Sequence, residues 1–378
     1  VDEVTTRPEA ATWSDWQPST DYTVGIEEEV MLLDPHNDWV LAPRIDEVFD
    51  RLEDHLHQHA SAETQDSVLE LATDPHHTAS SAAVQLKDLR HQLTEQLGPL
   101  DLTAACAGTH PSAVWTDTRI AEDERHQFVY GAMRELARRE PTFGLHVHVG
   151  VGEPERAITL ANRMRLHLPL LLALSANSPF WQGRDTGLAS ARTPIFQAFP
   201  RVGIPRAFGD YDEYVKTVDR LLRVDAFPDP THLWWDVRPQ PKFGTVEIRV
   251  MDAQTDNDVT EALVALVQSI AHLELEEGFH DDPAIDQTEV IAENRFLACR
   301  DGVDAELIDL IGERRITVRA VVADLLDAAR PHAQELGCDA ALETITDLAH
   351  ANGARRQRDV YAEREKLGDV IADLSRRF

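Results

Sequence analysis

Tyr22-Thr23-Val24-Gly25-Ile26-Glu27-Glu28-Glu29-Val30-Met31-Leu32 sets three acids inside a run of Val, Ile, Met and Leu. The apolar flanks read as a buried strand, where an unpaired carboxylate is costly. Side chains alternate faces along a strand, so Glu27 and Glu29 share one face and Glu28 takes the other. Glu28 is therefore expected to matter little to any chemistry on the Glu27 face. Three further segments repeat the pattern of polar groups in an apolar frame: Glu63 and Glu70 in AETQDSVLELAT, His146 and His148 in FGLHVHVG, and Glu247 with Arg249 in TVEIRVMD. Period two puts His146 with His148 and Glu247 with Arg249. Taken singly, a Glu triplet reads equally well as a solvated stretch, His-x-His as a structural or zinc-related pair, and Glu-x-Arg as an ion pair. Taken together, they offer carboxylates and imidazoles able to converge on a hard divalent cation such as Mg²⁺ or Mn²⁺.

The chain has 378 residues and a formal net charge of −31. That charge argues against binding nucleic acid or an anionic membrane. Only four of the 36 basic residues are lysines, and a bias toward Arg does not by itself explain 67 acids; a salt-adapted setting is expected. The three cysteines, Cys106, Cys299 and Cys338, are far apart and form no Cys-x-x-Cys pair, so a disulfide framework and a zinc ribbon fall away. The N-terminal residues lack a signal-peptide core, and the apolar stretch Leu168–Ala173 is far too short to span a bilayer. The expectation is a soluble, cytoplasmic protein.

Val1–Thr20 is polar, with Pro8 and Pro18, and reads as a mobile arm preceding a single domain over 21–378. Helical periodicity covers Ala79–Leu97, Arg119–Arg138 and Pro154–Ala176. Prolines mark loops at 200–205 and 228–230, the second leading into a strand pair over Trp234–Asp252. From Val259 the pattern is nearly all helix. The layout is that of an α+β protein whose ligand-bearing strands come from distant parts of the chain.

Over 21–358, through GIEEEVMLLD, LELATDP, AGTHP, FGLHVHVG, ALSANSPFWQGRDTGLASAR, WWDVRPQPKFGTVEIRVMDAQ, ENRFLACRDG and NGARRQRDVY, the sequence resembles the carboxylate–amine ligase branch of the glutamate–cysteine ligase superfamily, type 2. The resemblance implies a glutamine synthetase/guanidino kinase-like fold: an antiparallel sheet forming an open funnel, with helices on its outer face. It also implies an ATP-dependent ligation through an acyl phosphate, most simply of glutamate with cysteine, using ATP and Mg²⁺ or Mn²⁺. By the same resemblance, one metal is held by Glu27, His146 and Glu247 and another by Glu29, Glu63 and Glu70. His148 and Arg249 would face the nucleotide and the transferred phosphoryl group beside Glu247, with Arg356 as a further nucleotide contact. Arg184, Ser190 and Arg192, with Asp236 and Arg238, would bind the amino-acid substrates. Other readings remain open: a different amine acceptor, a non-catalytic relative, or a zinc hydrolase built on His146 and His148. A homodimer is compatible with the sequence.

Overall fold

The structure, a computed structural model, describes residues 12–117, 119, 131–134, 136 and 142–378. Residues 1–11 of the expected arm and most of the expected helix Arg119–Arg138 lie outside them. β1 (Val24–Asp34) runs through the middle of the main sheet, its two faces divided as the alternation requires. Ile26, Val30 and Leu32 join the apolar core, whereas Glu27 and Glu29 line a cavity. On one side β1 pairs with β4 (Val68–Ala72), which pairs in turn with β3 (Ala60–Ala62). On the other side it pairs first with β6 (Gly144–Gly150) and, past Met31, with β5 (Thr103–Ala105); β2 (Val40–Leu41) closes its far end.

β7 (Phe180–Trp181) and β8 (Arg184–Asp185) form a separate small hairpin. The main sheet continues from β6 to β10 (Thr245–Asp252) and then to β9 (Val237–Gln240), giving the order β3-β4-β1-β6-β10-β9 with every pairing antiparallel. Between Ile248 and Met251 the register of β10 against β6 slips by one residue, a bulge that disrupts the ladder locally and can re-aim the side chain there, Arg249.

The helices Ala79–Leu97, Pro154–Ser175 and Asn257–Glu276 cover the face opposite the cavity, as their apolar stripes demand. Leu86, Leu89 and Leu93 supply the first stripe, and they share one core with Leu145, Val147 and Val149 of β6. That core extends to Leu374, so the C-terminal helices pack onto the sheet's own interior. As expected, the chain beyond residue 257 is mostly helical; the departure is a short hairpin of β11 (Glu306–Ile308) and β12 (Arg315–Thr317). Among the described residues no helix is long and apolar enough to cross a membrane.

Residues 12–20, from the segment read as an arm, lie along the β9–β10 hairpin. Gln17 N donates to Pro241 O at 2.9 Å, Trp16 Nε1 to Val151 O at 3.1 Å, and Tyr211 Oη to Ser14 O at 2.7 Å. Gly244 has φ of +62°, and a Cβ there would meet Gln17 O at 1.9 Å, so this close approach needs a glycine. Polarity alone hid these anchors, because the tryptophans of TWSDWQ pack, half-buried, against Tyr211 and Tyr214.

Candidate active site

Cross-strand pairing assembles the polar face. Glu27 stands opposite His146, Glu247 opposite His148, and Glu29 opposite Glu70. Glu27 reaches both imidazoles, with Oε2 at 3.3 Å from His146 Nδ1 and Oε1 at 3.2 Å from His148 Nε2. Glu247 Oε1 lies 4.0 Å from His146 Nδ1. Three trios each place their ligand atoms within 4.8 Å of one another: Glu27–Glu70–His146, Glu27–His148–Glu247 and Glu29–Glu63–Glu70. All six residues named as metal ligands from sequence therefore converge. Glu29, Glu63 and Glu70 do so as one group, while Glu27, His146 and Glu247 are spread over two overlapping groups that also take in His148 and Glu70.

The electrostatics show what each carboxylate lacks. Burial raises the pKa of Glu29, and the charge of Glu63 adds to it, leaving it at about 7 despite Arg192 nearby. Glu70 is pushed well above the carboxylate range by burial and by Glu27, Glu63 and Glu29. Burial acts the same way on Glu27 and Glu247 but is outweighed, by the two histidines for Glu27 and by Arg238 and Arg249 for Glu247, and both are held low. His146 is lowered to about 4 by burial and by Arg249, whereas for His148 the pull of Glu27 overcomes burial and raises it. His146 Nε2 is buried without a hydrogen-bond partner, while His148 Nε2 has the Glu27 carboxylate 3.2 Å away. Carboxylates that repel one another beside an orphaned imidazole nitrogen fit divalent cations, and the oxygen-rich set suits Mg²⁺ or Mn²⁺ better than a structural zinc.

Arginines occupy the rest of the wall. Arg238 Nε donates to Glu247 Oε2 at 2.7 Å, Gln240 Nε2 donates to the same oxygen at 2.6 Å, and Arg249 pairs with Oε1. Arg192 is buried, its Nη atoms 3.3 and 3.4 Å from the carbonyls of Arg249 and Val250, and its Nε has no partner. Gly144 makes room for it: a Cβ there would come within 2.5 Å of Arg192 Nη2 and 2.9 Å of His146 Nε2. Arg192, Arg238, Gln240 and Arg249, with Glu27, Glu29, Glu63, Glu70 and His146, line a cavity of about 750 Å³, large enough for a nucleotide and an amino acid, whose remaining walls include Trp13, Phe196, Trp234 and Phe243; Glu247 and His148 are buried next to this lining.

The other candidates lie outside the cavity lining. Arg184 is exposed on β8. Ser190 is fully buried and bonded to Asp252 and Thr193. Asp236 is held by Arg295. Arg356 is on the helix Gly353–Arg364, paired with Asp373 at 3.1 Å. Gln240 and the aromatic walls are not among the residues singled out from the sequence. Gln240 shares a strand face with Arg238 by simple alternation and was there to be found. Trp13 carried no such signal, since its place depends on how residues 12–20 fold back.

A family model described as glutamate–cysteine ligase family 2 matches residues 23–375. A Rubrobacter xylanophilus protein bearing the name "Putative glutamate–cysteine ligase 2-1" is 40% identical over 360 residues, 93% of this chain and 94% of its own length. One from Sorangium cellulosum, "Putative glutamate–cysteine ligase 2", is 36% identical over 361 residues, 93% of this chain and 95% of its own. Among solved structures, a glutamate–cysteine ligase from Francisella tularensis in complex with AMP superposes with a TM-score of 0.69 at 14% identity, covering 96% of this chain and 89% of that one. A bifunctional glutathione synthetase from Pasteurella multocida gives 0.70 at 13%, covering 93% and 52%. At such identities these two show the fold: an antiparallel sheet backed by helices, with a helical C-terminal part. By family model and by close relatives along nearly its whole length, the chain belongs to glutamate–cysteine ligase family 2.

Proposed function

We propose that the protein is an ATP-dependent carboxylate–amine ligase that joins the side-chain carboxylate of glutamate to the amine of cysteine through an acyl phosphate. The observation that carries this reading is the meeting of three carboxylate-rich trios, all but His148 and Glu247 lining one cavity, with Arg192, Arg238 and Arg249. Phosphoryl transfer is chiefly a matter of placing positive charge around the transferred group, and this wall is built to gather it. The names of the relatives and the AMP held by the Francisella protein agree with the choice of donor, acceptor and nucleotide.

Glu27, Glu70, His146, His148 and Glu247 would hold one or more divalent ions, and Glu29, Glu63 and Glu70 another. The chemistry such ions supply when bound is neutralisation of polyphosphate charge. Arg249, buried beside Glu247 and His146, faces the cavity as a fixed cation for the phosphoryl group. Arg192, with its unpartnered Nε, offers a hydrogen-bond donor for a substrate carboxylate. In the first step a donor carboxylate oxygen forms a bond to the γ-phosphorus as the bond to ADP breaks. In the second the amine nitrogen bonds to the acyl carbon, loses a proton, and phosphate leaves. Water must be kept from the acyl phosphate, which suits the aromatic walls.

The test is a matrix of amino acids and amines incubated with ATP and Mg²⁺, scored by ADP release and product mass. Glutamate with cysteine should give the fastest ADP release together with a dipeptide, and ADP release without any amide product would refute the ligase reading.

A further inference from the structure

Arg192 enters the cavity from the first turn of a five-residue helix, Arg192–Phe196, a weak support for a side chain that must hold an anion in place. What fixes it stands behind the cavity. Asp252, at the end of β10, is fully buried and accepts three hydrogen bonds: from Ser178 Oγ at 2.6 Å, Ser190 Oγ at 2.9 Å and Asn177 N at 2.8 Å. Each serine passes the constraint forward. Ser178 Oγ accepts from Arg192 N at 3.2 Å, and Ser190 Oγ accepts from Thr193 N at 3.3 Å. The first two residues of the short helix thus hang, through two hydroxyls, from one carboxylate.

The same strand holds the other end of the side chain. The carbonyls that receive Arg192 Nη1 and Nη2 belong to Val250 and Arg249, the residues of the β10 bulge. Asp252 has almost no freedom to move, since a Cβ on Gly108 would lie 2.4 Å from its Cγ. A carboxylate buried this deeply is tolerated only because its donors are all in place. Backbone and guanidinium of Arg192 are therefore both referenced to β10, the strand that also carries Glu247 and Arg249.

We propose that Asp252, acting through Ser178 and Ser190, is a positioning residue for Arg192, and that this strut sets the affinity for the carboxylate of the amino-acid donor. The proposal rests on the ligase reading for the identity of the ligand. It gives Ser190 a role without substrate contact.

Ser190→Ala removes one link at little cost in volume, and Asp252→Asn alters the hub while keeping its shape. Each should raise the KM for the amino-acid donor about ten- to a hundredfold, the scale of an ångström-level misplacement, with the KM for ATP changed less than about twofold. In an Arg192→Lys background the same changes should add nothing further, because the group they position is gone. Parallel rises in both KM values, an unchanged donor KM, or effects that multiply in the Arg192→Lys background would overturn the proposal. Side-chain ¹⁵Nε spectra of the arginines give a readout that needs no turnover. The Arg192 signal, assigned by its loss in Arg192→Lys, should broaden or shift in Ser190→Ala and Asp252→Asn, and an unmoved signal would overturn the proposal. Absence of ADP release by the unaltered protein would instead refute the ligase reading, leaving those spectra to decide the positioning role.

Discussion

Arg90 holds both oxygens of Glu28, with Nε at 2.8 Å from Oε2 and Nη2 at 2.5 Å from Oε1, in a pair wholly sealed from solvent. The same guanidinium donates to the carbonyls of Thr255 and Gln254 and lies 4.8 Å from the ring centroid of Phe378. Glu28 thus fastens β1 to the helix Ala79–Leu97 and to the start of the C-terminal part, while its neighbours Glu27 and Glu29 face the cavity.

Breaking a buried ion pair from one side leaves an uncompensated charge. Glu28→Gln should therefore cost about 3–5 kcal/mol of stability, read as a lowered midpoint in urea unfolding, even though Glu28 touches nothing in the cavity. The double change Glu28→Leu with Arg90→Met should cost less than Glu28→Gln alone. An unaltered midpoint for Glu28→Gln would show that the pair contributes nothing.

The acid cluster makes the metal-free protein sensitive to pH. Glu29, at about 7, and Glu70 both sit above the ordinary carboxylate value of 4.5, so the folded state keeps protons that the unfolded chain gives up. Their contribution is present below that ordinary value and is lost as pH rises through their raised values, about 7 for Glu29. Melting temperature in EDTA should accordingly fall between about pH 5 and about pH 8, and Glu70→Gln should flatten the decline. Because Mg²⁺ must displace those protons, its affinity should rise with pH and its binding should release protons, measurable by calorimetry in buffers of different ionisation enthalpy. Mg²⁺ affinity independent of pH would refute this protonation scheme.

Much of this site could be read from alternation, and the limits of that reading are physical. Period two on single strands placed Glu27 with Glu29 and His146 with His148, and would have placed Gln240 with Arg238. It could not say that Glu29 faces Glu70 across β1 and β4, since register comes from pairing between segments about 40 residues apart. Nor could it show the bulge at Arg249, which alternation does not foresee. Alternation turned Glu28 away from the Glu27 face, but could not name its partner, since Arg90 lies 62 residues on in the chain, on a helix. Arg192, Ser190 and Arg184 lie in one motif, yet only Arg192 reaches the cavity; the hydroxyl of Ser190 turns inward to Asp252, 62 residues away in sequence. Folding back of residues 12–20 depended on contacts with Val151, Tyr211 and Pro241 that no local pattern encodes.

A net charge of −31 should make the fold depend on screening. The Debye length grows from about 3 Å at 1 M salt to about 30 Å at 0.01 M, so repulsion among the surface acids reaches across the molecule when salt is low. Molar KCl should raise the melting temperature relative to 0.1 M KCl. A flat response over that range would mean the acidity serves some other end.

The most direct test of the proposed chemistry follows one oxygen. With ¹⁸O in the side-chain carboxylate of glutamate, and ATP, Mg²⁺ and cysteine present, the released phosphate should carry one ¹⁸O per amide formed, alongside ADP in equal amount. Unlabelled phosphate, or AMP and pyrophosphate in place of ADP, would contradict an acyl phosphate at this site.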